Sequence, residues 1–107
     1  MAGSSVGARA LRMDPKDTVA ILIEEAEKGA QIVLQGEEGD PEPVVVAAEP
    51  IPYGHKVALS DMEVGTPVIK YGEKMGIARK KIAVGEHVHV HNVRGLNTEE
   101  RSVSARG

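Results

Sequence analysis

Apolar residues in this chain come in short runs broken by glycine, proline or charge, a pattern that suits brief strands rather than long helices. Residues 8–13 (ARALRM) alternate apolar and polar and lead into Asp14-Pro15-Lys16-Asp17, so a first strand ending in a turn is predicted. Over 18–28, Val19, Leu22, Ile23 and Ala26 recur at helical spacing, with Asp17 at the N-cap position and Gly29 as a stop. That predicts a helix, although its β-branched start leaves a strand as the alternative. Residues 30–34 read as a strand, and 35–43 (QGEEGDPEP) as an acidic loop that Pro41 and Pro43 bar from a central strand. A buried strand over 44–48 and a single helical turn over 60–63 follow. A hairpin over 66–71 and 75–78 turns at Gly72-Glu73-Lys74, and a last strand spans 87–93. The prediction is a mainly β, compact single domain with one or two short helices.

One turn device recurs within this pattern: an apolar residue, two further residues, then Gly-x-x-Val. It appears at 51–57 (IPYGHKV), 62–68 (MEVGTPV) and 82–88 (IAVGEHV), with a looser copy at 26–32 (AEKGAQI). A glycine at a fixed place before a β-branched residue marks a chain that reverses at positive φ and then enters a strand in set phase. Asp17-Thr18-Val19-Ala20 also echoes His55-Lys56-Val57-Ala58, which hints at pseudo-symmetric halves.

The last copy leads into the candidate chemistry. Three of the chain's four histidines lie in His87-Val88-His89-Val90-His91, where strict alternation on a strand sends the imidazoles to one face and the valines to the core. Same-face neighbours lie roughly 6.5–7 Å apart at Cα, close enough for His89 and His91 to converge on one metal ion or one anionic ligand, with His87 as an outer member of undetermined role. The competing reading is a solvated strand face on which histidine is merely tolerated.

Composition narrows the field. There are no Cys, Phe or Trp residues and only Tyr53 and Tyr71 among the larger aromatics, so the core is aliphatic and any metal ligand is nitrogen or oxygen. A net charge of −3 with no basic stripe and few stacking platforms argues against nucleic acid; the one local cluster, Arg79-Lys80-Lys81, reads first as a solvated turn and second as an attractor of an anionic substrate. No apolar segment has membrane-spanning length, and nothing resembles a signal peptide, which predicts a soluble cytoplasmic protein. Residues 1–7 and 97–107 read as disordered tails around a domain at 8–96, small enough to gain from a partner or a homo-oligomer.

The runs IPYGHKVAL, DMEVGTPVIKYGEKMG and IAVGEHVHVHN closely resemble the SAF-type domain, a β-clip fold, in the version found in altronate and galactarate dehydratases. Gly54-His55-Lys56-Val57-Ala58, Tyr71-Gly72 and His89-x-His91-Asn92 are the specific parts of the resemblance. It implies a stand-alone small subunit of a sugar-acid dehydratase, a hydro-lyase that works with a large catalytic subunit absent from this chain. It also implies a divalent metal shared with that subunit, Fe2+ first among the iron and other divalent ions the family uses; His55, His89 and His91 are the nitrogen ligands on offer. Lys56 and Asn92 would hold the carboxylate or hydroxyls of an aldonate or aldarate. Family members often carry Asp-Asn-Val-Ala where this chain has Asp17-Thr18-Val19-Ala20, which leaves a substrate role for Asp17 open. Such a reaction removes a proton next to a carboxylate and expels the neighbouring hydroxyl. The alternatives are the small subunit of a sulfolactate sulfo-lyase and a non-catalytic module that binds a sugar acid or another protein.

Overall fold

The computed structural model describes residues 7–36 and 44–102. Nine strands are present among the described residues: β1 (Ala8–Leu11), β2 (Val19–Leu22), β3 (Gln31–Gln35), β4 (Val44–Val46), β5 (Lys56–Ala58), β6 (Pro67–Lys70), β7 (Glu73–Ala78), β8 (His87–Val88) and β9 (Val93–Arg94). A helix, α1 (Thr98–Ser102), follows them. Six strands form one sheet in the order β4-β3-β1-β2-β5-β8, in which only β1 and β3 run parallel. The other three form a small antiparallel sheet, β6-β7-β9. No helix among the described residues is long and apolar enough to cross a membrane.

The recurrent turn device is the framework of both halves. Each copy closes a β-turn by an i to i+3 backbone bond: Ala30 N–H to Glu27 O, His55 to Pro52, Thr66 to Glu63 and Glu86 to Ala83. The glycine in each turn sits at positive φ, as the spacing predicts: Gly29 at 88°, Gly54 at 83°, Gly65 at 93° and Gly85 at 91°. The copies then dock in pairs through their leading apolar residues. Ala26 and Ile51 exchange reciprocal backbone bonds, and so do Met62 and Ile82. The strand-entry residues Ile32, Val57, Val68 and Val88 are all buried, each stabilising the fold by roughly 1.5–3 kcal/mol through loss of apolar surface to water.

Each docked pair has its own core. Ala26, Ile32, Ile51 and Val57 belong to a cluster with Leu22, Leu34 and Val45; Met62, Val68, Ile82 and Val88 belong to a second with Val19, Ala58 and Ala78. Strands β2 and β5 form the wall between the two. They pair antiparallel with Val19 opposite Ala58 and Ala20 opposite Val57, so the two echoing tetrapeptides lie side by side. Val19 and Ala58 face the second core, while Ala20 and Val57 face the first.

That arrangement corrects the helix predicted over 18–28. A strand covered on both faces is apolar without alternation, and VAIL followed by Ala26 imitates a helical period. The helical turn predicted over 60–63 is instead a bend leading into the Met62–Ile82 bridge. The hairpin is present, but it turns at Tyr71 (φ 58°) and Gly72 (φ 76°), the two positive angles of a tight two-residue connection. The strand predicted over 87–93 is cut in two: β8 stops at Val88, residues 89–92 turn, and β9 starts at Val93. Val88 is in the core as predicted, whereas Val90 is 69% exposed at the turn. At the C-terminal side, Thr98–Ser102, placed in a tail by the sequence, forms one helical turn. Asn97 caps it in a reciprocal exchange with Glu100, and Arg94 grips the Glu100 carboxylate with both terminal nitrogens. Those bonds hold the Glu100 carboxyl at about 2. The predicted tail at 1–7, apart from Gly7, and the acidic loop beyond Gly36 lie outside the described residues.

Candidate functional site

Three of the four histidines, His55, His87 and His89, converge where the two turn pairs meet. His55 follows the turn glycine of one copy and His87 follows that of another, and the antiparallel register of β5 with β8 sets Val57 opposite His87. The result is a contact between His55 Nδ1 and His87 Nε2 at 2.9 Å, a hydrogen bond in which one ring donates and the other accepts. His89 completes the group. Its ring centroid lies 4.7 Å from that of His55 and 5.5 Å from that of His87, the latter pair stacked at 12°. One nitrogen from each of His55, His87 and His89 falls within 4.8 Å of the others.

Membership of this group departs from the sequence expectation in one place. His91 stands outside the three, its ring 5.4 Å from that of His87, whereas His87 is at the centre. The cause is the turn at 89–92, which breaks the strand phase before His91 is reached. The Asn92 side chain makes that turn. Its amide nitrogen donates to His87 O at 2.8 Å, and its amide oxygen accepts from His89 N–H at 2.9 Å.

His87 is half-buried, and burial pushes its pKa below the ordinary value. Positive charge on His55, His91 and His89 pushes the same way, and the Glu49 carboxylate opposes it. The shift favours the neutral imidazole, the form with a lone pair available. Glu49, which no local spacing in the sequence points to, also accepts the His87 backbone N–H at 3.0 Å. Arg79, from the basic cluster noted in the sequence, is a further neighbour: its guanidinium donates to Val90 O, and its backbone N–H donates to Asn92 O.

The remaining sequence candidates lie apart from the imidazoles. Asp17 is buried, and its carboxylate accepts backbone N–H groups from Met13, Asp14 and Gly72, joining the β1–β2 turn to the β6–β7 turn. Lys56 pairs with Val88 and so projects from the face of β5 that the second core covers, opposite the face His87 shares with Val57. Burial, and then the nearby Lys70 ammonium, lower the Lys56 pKa.

A curled sheet built from docked glycine turns, with polar groups gathered at the strand ends, defines a SAF-type β-clip domain. Over residues 8–96 the chain matches the altronate/galactarate dehydratase SAF domain, and it belongs to that family. It is 33% identical over 84 residues to an altronate dehydratase of Escherichia coli, a match spanning 78% of this chain and 16% of that enzyme. An altronate dehydratase of Bacillus subtilis aligns over the same proportions at 29% identity. The chain is also 36% identical over 83 residues to the (2R)-sulfolactate sulfo-lyase subunit alpha of Chromohalobacter salexigens, a match covering 76% of this chain and 87% of that subunit. The chain thus spans a small fraction of the altronate dehydratases and most of the sulfo-lyase subunit.

Proposed function

We propose that the chain is the SAF part of a lyase acting on a sugar acid of the altronate or galactarate kind, and that its histidines form a half-site completed by a large catalytic partner. The observation that carries this reading is the convergence of His55, His87 and His89 from two separate turn pairs, where burial lowers the pKa of the central imidazole. One pair of the three donors already has the spacing of neighbouring ligands on a divalent ion. Nitrogens bound at about 2.1 Å and at right angles around one ion stand about 3 Å apart, and His55 Nδ1 and His87 Nε2 are 2.9 Å apart. In our reading the ion is Fe2+, held by His55, His87 and His89, and when bound it would stabilise negative charge developing on the substrate's carboxylate side. Three imidazoles leave coordination positions open to the partner and to substrate. Lys56, with no carboxylate paired to it among the described residues, is available to a carboxylate that reaches the second core's face. Asp17 and Asn92 act on the backbone and not on the substrate in this scheme.

A second reading has its own support. The match over 87% of the Chromohalobacter subunit favours a small subunit of a sulfo-lyase acting on (2R)-sulfolactate. Both readings are tested on the complex purified from its native host by a tag on this chain. That complex is assayed with altronate, galactarate and (2R)-sulfolactate, as wild type and as His87→Ala. Sugar-acid dehydration that His87→Ala abolishes supports the first reading, and cleavage of (2R)-sulfolactate instead selects the second. A complex inactive on all three substrates, or one in which His87→Ala is fully active, rejects the half-site and leaves a binding or interaction module. Purified alone, the chain is expected to turn over none of them.

A further inference from the structure

Asn92 is 3% exposed, and both ends of its side-chain amide and both its backbone groups are hydrogen-bonded. Its side chain takes the carbonyl of His87 and the N–H of His89, the two backbone groups that flank Val88. Its own N–H donates to His89 O, and its carbonyl accepts from Arg79 N–H at the end of the small sheet. Val88 is itself anchored in the second core. The peptide units on both sides of an immobile residue are therefore gripped by one planar amide.

We infer that Asn92 is a positioning residue for the histidine cluster: it fixes the orientation of His87 and His89 relative to each other, and through His87 the bond to His55. The inference rests on the donor-set reading above. Other side chains fail at identifiable atoms. Aspartate has no donor for the His87 carbonyl and sets a carboxylate oxygen against it, glutamine is longer by one methylene, and alanine leaves both backbone groups without this partner. A residue that orients metal-ligating imidazoles typically changes metal affinity by about 10–100-fold when it is replaced.

The test uses the full chain and two independent readouts. Imidazole 15N NMR at pH 7.5 reports the N–H···N bond between His55 and His87, and titration with Co2+ alone reports the donor set. Asn92→Ala is expected to abolish the His55–His87 correlation and weaken Co2+ binding by about 10–100-fold. Asn92→Asp, which still accepts from His89 N–H, is expected to fall between and decides the matter if the alanine variant does not fold. Ile32→Val, a core truncation on β3, serves as the control for lost stability and is expected to move neither readout. Asn92 variants with the wild-type imidazole spectrum and Co2+ affinity overturn the inference. A wild-type chain that binds no Co2+, yet whose imidazole resonances depend on Asn92, rejects the donor set while upholding the positioning role.

Discussion

Gly54 and Gly85 occupy equivalent places in their turns at nearly the same backbone angle, φ 83° and 91°, but their surroundings differ. A Cβ on Gly54 meets no atom within 4 Å, whereas one on Gly85 runs into the Val46 carbonyl oxygen and comes within 3.2 Å of Ala48 N. Alanine at either site bears the cost of the left-handed conformation, roughly 1–2 kcal/mol. It also restricts the unfolded chain, which returns about 0.4–1 kcal/mol. Gly54→Ala should therefore destabilise by about 1 kcal/mol. Gly85→Ala adds the cost of forcing backbone atoms apart, roughly 1–3 kcal/mol for an overpacked site, and so should lose about 2–4 kcal/mol. Urea unfolding of both variants, monitored by far-ultraviolet circular dichroism, gives the two differences directly. Equal losses would refute the packing of β4 against the 82–88 turn, because conformational strain alone would then explain both. A Gly85→Ala protein as stable as wild type would refute the positive φ as well.

Two further outcomes follow from buried polar groups. His87 has a folded pKa below its unfolded value of about 6.5, so the folded state disfavours its protonation. Its contribution is complete above that pH and is lost as pH falls through the lowered folded value. The urea midpoint of wild type should thus drop between pH 7.5 and 5.5 by more than that of His87→Gln, and equal drops would contradict the assigned burial. Asp17→Ala strips acceptors from three backbone N–H groups and should cost roughly 3 kcal/mol, with Asp17→Asn losing about half as much. An alanine variant within about 0.5 kcal/mol of wild type would remove Asp17 from the framework.

Local requirements were readable in the sequence, and long-range ones were not. The Gly-x-x-apolar turns could be read because positive φ is a demand on one residue, and all four copies meet it, from Gly29 to Gly85. Strand β2 escaped because its burial depends on two cores built by distant segments, and an unbroken apolar run carries no period of its own. The end of β8 escaped for a different reason. The alternation of His87 to His91 is a valid strand pattern that the Asn92 amide overrides by taking two ladder groups for itself. His55 and His89 were recognised as members of the site, but the pairing of β5 with β8 that brings His87 between them spans 32 positions of sequence. No spacing rule reaches so far, nor does one reach from Glu49 to the backbone of His87.

The wall of β2 and β5 between the two cores bears on how the histidine cluster comes apart. His55 hangs from a turn docked in the first half and His87 from a turn docked in the second, so neither half alone can assemble the pair. Losing either core exposes one face of the shared wall, which makes the domain a single cooperative unit and leaves little scope for partial opening. Amide protons of Val57 and Val88 should accordingly exchange only through whole-domain unfolding. The cluster is then populated in proportion to the intact fold, and its presence reports on that fold as a whole.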